Sequence, residues 1–262
     1  MGVQQPVAGR LRLSMELQHR TDAVGPEGAG RVELTEQRGT LSLAYAPSSR
    51  WMFSLSAPLL RREIRYESLR SEQVMGLGDL EARVKLFIYR DTAFAPRHLL
   101  ALVLGSRIPT GDVRTSGEVD PELQAGSGSF EPLGGLAYAY FGGDWSLFAS
   151  EMVYAPLPGR ADFRIGSSLR GTHTAQYQVV ESLALRASLN FRWEAATRLQ
   201  EPARDEPDSG GLIAFVAPGL LFSPFADMVF YTEVQLPAYN GLTGVHDEGA
   251  VVWFGAAYDY VL

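Results

Sequence analysis

Four histidines are the side chains best suited to metal binding or acid–base catalysis, and they lie far apart along the chain. His19, His98, His173 and His246 show none of the close spacings, such as His-x-x-x-His, that place two imidazoles on one metal ion. The chain has no cysteine, which excludes disulfides and thiolate metal sites. The sequence therefore predicts no histidine or cysteine metal centre.

Three other groups of polar residues could carry chemistry. His246 and Asp247 could act as an acid–base pair in a predicted loop, but such a pair is far more often simply solvated. Ser168 could be a nucleophile with His173 as its base, but strand alternation places the two on opposite faces. The loop 110–129 offers oxygen ligands for Ca²⁺, although an acidic solvated loop explains them more simply: Asp112, Glu118, Asp120 and Glu122. We expect no catalytic residue and no cofactor, and calcium binding at this loop stays open.

The informative polar residues alternate with apolar ones. From Leu183 to Trp193 every odd position is apolar, whereas the even positions from Arg186 to Arg192 are charged or polar. Successive side chains of a strand point to opposite faces, so one face is hydrocarbon ending in an aromatic ring and the other is charged. At about 3.3 Å per residue this strand is long enough to cross a bilayer when tilted. The pattern predicts a transmembrane β-barrel strand, apolar toward lipid and polar toward the lumen.

The rest of the chain repeats this pattern about twelve times. Short links at 47–49, 90–96, 142–144, 179–182 and 224–227 alternate with mostly longer ones at 21–30, 67–75, 110–129, 197–209 and 238–248, and only 157–160 departs from the alternation. A change of parity near Gly39 indicates a β-bulge. We expect an all-β fold: one transmembrane, antiparallel, up-and-down β-barrel domain over residues 1–262, with about twelve strands and both termini periplasmic.

Composition and charge agree with this interpretation. The net charge of −7 and the absence of clustered Lys and Arg argue against a nucleic-acid partner. No apolar run approaches the roughly 18 residues of a membrane helix. The first residues lack the features of a signal peptide, so we expect a secretion signal that has been removed and a location in the bacterial outer membrane. The expected partners are outer-membrane lipid and a small solute, and the oligomeric state stays open.

Aromatic and charged residues occupy two distinct sets of positions. Aromatic side chains beside the short links or near the C-terminus predict a girdle at the membrane–water interface: Tyr45, Trp51, Tyr140, Trp145, Tyr177, Phe222 and Tyr260. Strand parity predicts a lumen lined by Arg83, Lys85, Arg107, Arg164, Arg170, Arg186, Asn190, Arg192, Glu81 and Glu233, with Arg10, Arg12, Glu16, Glu194 and Asp259 on the same face. Basic residues outnumber acidic ones in this set, because most acidic residues fall in loops.

Several segments resemble a known family. Residues 45–51 (YAPSSRW), 55–58 (LSAP), 76–80 (GLGDL) and 107–112 (RIPTGD) are similar, in order and spacing, to the outer-membrane family named for the MetA pathway of phenol degradation. The C-terminal GAAYDYVL resembles the last strand of outer-membrane proteins, with Leu262 where Phe or Trp is usual. The resemblance implies a β-barrel that acts as a transporter or channel.

The preferred hypothesis is an outer-membrane channel that passes small solutes, anionic or aromatic ones among them, by passive diffusion. Because Arg and Lys in a pore wall favour anions, Arg83, Lys85, Arg107, Arg186 and Arg192 are the predicted selectivity residues. Two alternatives remain open. The charged residues could pair across the barrel and fill it, leaving a structural or docking barrel without a pore; a surface hydrolase is the third.

Overall fold

The computed structural model describes residues 7–25, 30–67, 70–92, 95–113, 124–159, 163–199, 204–205 and 209–262. Within these ranges the chain forms β-strands and no helix, and none of it is a helix long and apolar enough to cross a membrane. The strands are β1 (Arg10–Val24), β2 (Val32–Ser48), β3 (Trp51–Tyr66), β4 (Ser71–Leu77), β5 (Leu80–Arg90), β6 (His98–Ile108), β7 (Glu131–Gly142), β8 (Trp145–Tyr154), β9 (Phe163–Arg164), β10 (Ser168–Val180), β11 (Leu183–Glu194), β12 (Arg198–Leu199), β13 (Arg204–Asp205), β14 (Gly211–Phe225), β15 (Met228–Leu242) and β16 (Val251–Val261).

Thirteen of these strands form one antiparallel sheet that closes on itself. The order is β2-β1-β16-β15-β14-β11-β10-β8-β7-β6-β5-β3, and the pairing of β2 with β3 completes the ring. β4 pairs with one half of β3 and β5 with the other half, so that β4 and β5 share one position and the break at Gly78 and Asp79 separates them. The barrel therefore has twelve strand positions and one extra strand, which confirms the predicted all-β, closed antiparallel barrel of about twelve strands.

Strand β11 shows how the sequence specifies the two faces of the wall. Its odd residues Leu185, Leu189 and Trp193 are each nearly half exposed, whereas Ala184 and Ser188 are buried. Leu185 lies opposite Leu220 of β14 and Tyr177 of β10 in the two ladders, so apolar residues of adjacent strands form one continuous outer belt. A belt of this kind is stable only where hydrocarbon lies against it.

The connections differ between the two ends of the barrel. At one end, here called the short-turn end, β2–β3, β7–β8, β10–β11 and β14–β15 are joined by two residues each, and β5–β6 by residues 91–97. At the opposite, long-loop end the links include 109–130, 155–167 and 195–210, and the short strands β9, β12 and β13 form a small antiparallel sheet within two of them. The amide of Leu262 donates to the carbonyl of Gly9, so both described ends of the chain lie at the short-turn end.

Two features of the wall differ from the sequence prediction. The register of β1 and β2 is continuous from Arg10–Ala46 to Val24–Val32, so the bulge predicted at Gly39 is wrong. The parity shift has another cause: Leu34 points inward and packs with Ile64 in the lumen. β6 and β7 also turn mainly apolar side chains inward, and the resulting buried cluster consists of Phe87, Leu99, Ala101, Val103, Leu133, Ala137, Ala139, Met152 and Tyr154. One side of the lumen is thus apolar rather than polar.

Candidate functional site

Two cavities of similar size lie in the described part of the lumen. The long-loop chamber has a volume of about 600 Å³ and is lined by charged residues of β1–β3, β6, β7, β10 and β11. The short-turn chamber has a volume of about 610 Å³ and lies among residues of β1, β7, β8, β10, β11 and β14–β16 together with the turn 95–97. Both volumes fall in the range of small-molecule sites.

A buried carboxylate organises one wall of the long-loop chamber. Glu36 of β2 is only 1% exposed and accepts a hydrogen bond of 2.5 Å from Nε of Arg62. Arg38 and Arg20 bring further guanidinium nitrogens to 3.1 and 3.6 Å from its other oxygen. Three cations offset the desolvation of one carboxylate, so the network ties β1, β2 and β3 together.

Further ion pairs line this chamber, and Arg20 links one of them to the Glu36 network, since it lies 3.8 Å from Glu248. Arg107 contacts Glu131 at 2.6 Å, and Arg192 contacts Glu248 at 2.7 Å. Glu194 lies 3.4 Å from Arg192 and from Arg170. Six arginines and six carboxylates line the chamber, so its formal charge is balanced: Arg20, Arg38, Arg62, Arg107, Arg170 and Arg192 against Asp22, Glu36, Asp79, Glu131, Glu194 and Glu248.

The segment Gln124–Ser129 folds into the same chamber. Asp79 accepts hydrogen bonds from the amides of Gly111 (2.9 Å) and Ser127 (2.7 Å), and Arg62 donates to the carbonyl of Gln124. A Cβ atom at Gly78 would lie 2.9 Å from Pro58 and 3.3 Å from the carbonyl oxygen of Ala125, so the segment packs closely against this glycine. The Gly-Leu-Gly-Asp motif (residues 76–79) therefore holds the segment Gln124–Ser129 against the barrel wall.

Two basic side chains of β5 that face the lumen, Arg83 and Lys85, differ in their partners. Arg83 contacts Glu81 at 2.5 Å and donates to the hydroxyl of Tyr154 at 2.8 Å. Glu233 accepts hydrogen bonds from Ser188 and Asn190. Lys85 differs, since within the described ranges no carboxylate oxygen lies within 4.0 Å of its ammonium group.

The short-turn chamber has a charged side and an apolar side. Arg12 and Arg10 both contact Asp259, and the hydroxyl of Tyr231 donates to Glu16. Arg186 has no such partner: its Nε is buried without a hydrogen bond, and no described carboxylate oxygen lies within 4.0 Å of its guanidinium group. The apolar side includes Phe141, Phe148, Leu221 and Val229.

Residues 95–97 of the β5–β6 link line this chamber. Pro96 is buried, and the carbonyl of Arg97 accepts a hydrogen bond from the amide of Phe141. The amide of His98 donates to Asp91 at 3.0 Å, and this bond lowers the pKa of Asp91, which lies in the exposed part of the turn. These hydrogen bonds fix the position of Arg97 beside the short-turn chamber.

The predicted lumen residues fall into two groups. Nine of the ten lie on the inward face of barrel strands: Arg83, Lys85, Arg107, Arg170, Arg186, Asn190, Arg192, Glu81 and Glu233. Arg164 does not lie on the inward face, because it is exposed in β9 of the loop sheet. The irregular residues 165–167 separate β9 from β10, so the alternation of faces in β10 does not extend to Arg164. The sequence reasoning missed Arg20, Arg38, Arg62, Glu36, Asp79, Glu131 and Glu248.

The predicted girdle residues lie together on the outer surface near the short-turn end. The ring centroids of Trp145 and Tyr177 lie 5.0 Å apart in a tilted arrangement, and those of Trp51 and Phe53 are stacked at 6.4 Å. The Tyr140 centroid lies 5.0 Å from that of His98. Tyr45, Phe222 and Tyr260 are likewise exposed at this end. Such a row of aromatic rings is typical of a membrane–water interface.

The remaining candidates do not assemble into a reactive centre. His246 lies 3.8 Å from Asp22, and Asp247 pairs with Arg31. His173 points outward, away from Ser168, and contacts Glu151 at 2.9 Å. Within the described ranges, no three His, Asp or Glu side chains are grouped so that they could hold a metal ion. Of the calcium candidates, Asp112 is described, whereas Glu118, Asp120 and Glu122 lie outside the described residues.

The fold is shared with solved outer-membrane proteins. An outer-membrane channel from Pseudomonas putida F1 matches with a TM-score of 0.76 and 15% sequence identity, covering 99% of this chain and 97% of that one. The β domain of a Bordetella autotransporter matches with a TM-score of 0.54 and 10% identity over 96% and 100% of the two chains. The monoaromatic hydrocarbon channel TodX matches with a TM-score of 0.52 and 11% identity over 98% and 91%.

No protein-family model and no curated protein matches the sequence. The structural matches confirm, at the level of the fold, the resemblance first seen in the sequence motifs. The closed barrel, its apolar outer belt and these outer-membrane neighbours place the chain in the bacterial outer membrane.

Proposed function

We propose that this barrel is a non-enzymatic channel that passes small solutes by passive diffusion and prefers anions. The observation that carries the proposal is the pair of cavities of about 600 and 610 Å³ at the two ends of the lumen. The outer-membrane channels among the structural neighbours support the same function, and TodX indicates aromatic solutes as one class to test. The short-turn end would face the periplasm, with both termini there.

The anion preference rests on which lumen cations lack a partner. Arg107 and Arg192 are paired with carboxylates, so their charges are largely offset. Lys85 and Arg186 are not paired within the described lumen and are the residues that we propose to set selectivity. Fixed cations in a confined wall attract anions and repel cations, and narrow spaces contain little salt to screen them.

Reversal potentials across planar bilayers under a KCl gradient would test this selectivity. We expect the wild type to favour chloride, and the Lys85→Gln/Arg186→Gln variant to show a several-fold lower chloride-to-potassium permeability ratio. Arg50→Gln is the matched control, because Arg50 is exposed in the turn between β2 and β3. A cation-selective wild type would contradict the preference for anions, and a wild type without conductance would contradict the channel itself.

One observation favours a different function. The ion-pair networks and the inserted segment Gln124–Ser129 occupy much of the long-loop chamber, as expected of a barrel that is closed by its own side chains. Such a barrel would serve as a structural or docking element of the envelope. Folded protein that gives no conductance at any voltage would select this second function.

A further inference from the structure

Arg186 differs from the two arginines of strand β1 that also line the short-turn chamber. Arg10 and Arg12 of strand β1 share Asp259, whereas no described carboxylate oxygen lies within 4.0 Å of the guanidinium group of Arg186 on β11. The Nε of Arg186 is also buried without a hydrogen bond, as is that of Arg10. The ladder partner of Arg186 on β14 is Gly219, which has no side chain to cover the guanidinium group. Burying an unpaired cation is unfavourable, and an anion that reached it would remove that cost.

Apolar surfaces lie on both sides of Arg186 along the wall. On one side Phe148 of β8 packs edge-on against Phe141 of β7, with ring centroids 5.8 Å apart. On the other side Leu221 of β14 and Val229 of β15 line the chamber. A ligand that fills the chamber would therefore bury an apolar body against these side chains while its charged group meets the guanidinium.

We propose that the short-turn chamber is a binding site for an organic monocarboxylate with an apolar body, in which Arg186 holds the carboxylate. The inference rests on the proposed channel function, since a solute in transit would occupy this chamber. The planar guanidinium fork matches the two oxygens of a carboxylate. A second negative charge on the ligand would meet the carboxylate of Glu16, and a neutral ligand would leave Arg186 unpaired.

Fluorine NMR on the full chain refolded in detergent would test the site with three probes. The probe 4-fluorobenzoate carries both charge and apolar body, 4-fluorobenzamide only the apolar body, and fluoroacetate only the charge. We expect saturable binding of 4-fluorobenzoate. The other two probes should bind at least about tenfold more weakly, because a hydrogen-bonded ion pair contributes about that factor. Empty micelles correct for partitioning into detergent.

Three variants make the test specific to Arg186. Arg186→Gln should lose affinity for 4-fluorobenzoate about tenfold, Arg186→Lys should retain part of it, and Phe148→Ala should weaken it through lost apolar contact. Arg50→Gln, outside the lumen, should bind like the wild type. Heat-modifiable gel mobility shows whether each variant has folded, and the lysine variant keeps the charge if the glutamine variant does not fold.

The outcomes separate this inference from the channel function. Equal affinity of wild type and Arg186→Gln, or equal affinity for 4-fluorobenzoate and 4-fluorobenzamide, would overturn the binding site. Wild-type protein that conducts anions but does not bind 4-fluorobenzoate would overturn the site alone. Saturable binding without any conductance in planar bilayers would support the site and overturn the channel.

Discussion

At the scale of single residues, the outer surface carries a pair of polar side chains that the alternation of apolar and polar residues does not explain. Glu151 of β8 and His173 of β10 face outward and contact each other at 2.9 Å, with side chains 42% and 49% exposed. The ring of Phe191 stacks on His173 at 6.2 Å, and Gly171 leaves the space in which Glu151 and Phe191 lie side by side. The carboxylate therefore faces the apolar belt while it contacts the imidazole.

This arrangement predicts an unequal effect of removing one partner or both. His173→Leu should lower the free energy of unfolding by about 1–2 kcal/mol, because it leaves Glu151 facing lipid without a partner. Glu151→Leu/His173→Leu should restore wild-type stability or exceed it. Urea unfolding in lipid vesicles, followed by tryptophan fluorescence, measures both variants. A double variant as unstable as the single one would show that the pair does not lie against lipid.

At the scale of elements, strand β11 allows a direct test of the face assignment. Leu185 is 48% exposed on the outer belt, and its neighbour Arg186 lines the short-turn chamber. An arginine facing the bilayer midplane costs about 2–4 kcal/mol in such barrels, so Leu185→Arg should impair insertion. Arg186→Leu should fold normally, because it breaks no ion pair. Heat-modifiable gel mobility of the two refolded variants is the measurement, and equal damage from both, or the reverse order, would overturn the assignment.

The strands also show what could be predicted from sequence and why. β11 was predictable because apolar and charged residues contrast at every step. β6 gives no such contrast over Leu99–Leu104, since its inward residues belong to the apolar cluster of the lumen. The inward and outward faces of β6 could be assigned only by counting alternate residues back from Arg107. For the same reason a β-bulge was predicted at Gly39 of β2. Glu36 and Arg38 were therefore not predicted to face the lumen.

The ion pairs could not be predicted from the sequence, because they depend on the relative register of strands that are joined by long connections. Arg107 and Glu131 are opposite each other on β6 and β7, but the link 109–130 between these strands leaves their relative register undetermined by sequence. Arg192 meets Glu248, which lies just before β16 and far along the chain. The sequence therefore identified many of the lumen cations but not which of them are offset by a carboxylate.

At the scale of the whole molecule, charge and shape divide the lumen into two unlike halves. The long-loop chamber balances its cations and anions and is partly occupied by Gln124–Ser129. The short-turn chamber retains the free charge of Arg186 beside an apolar wall. In a channel, the first half would restrict the size of the solute and the second would select its charge and apolar character.

Asp79 provides the test of whether the inserted segment restricts flow. It is nearly buried, and its two carboxylate oxygens hold the amides of Gly111 and Ser127. Asp79→Ala removes both acceptors and should release the segment from the wall, raising single-channel conductance several-fold. Asp79→Asn removes the same charge but keeps one acceptor, so its conductance should lie between the two. Asp144→Ala, in the exposed β7–β8 turn, controls for the loss of a carboxylate outside the lumen. If both Asp79 variants conduct like the wild type, flow is limited elsewhere, and the ion-pair network around Glu36 would be the next constriction to open.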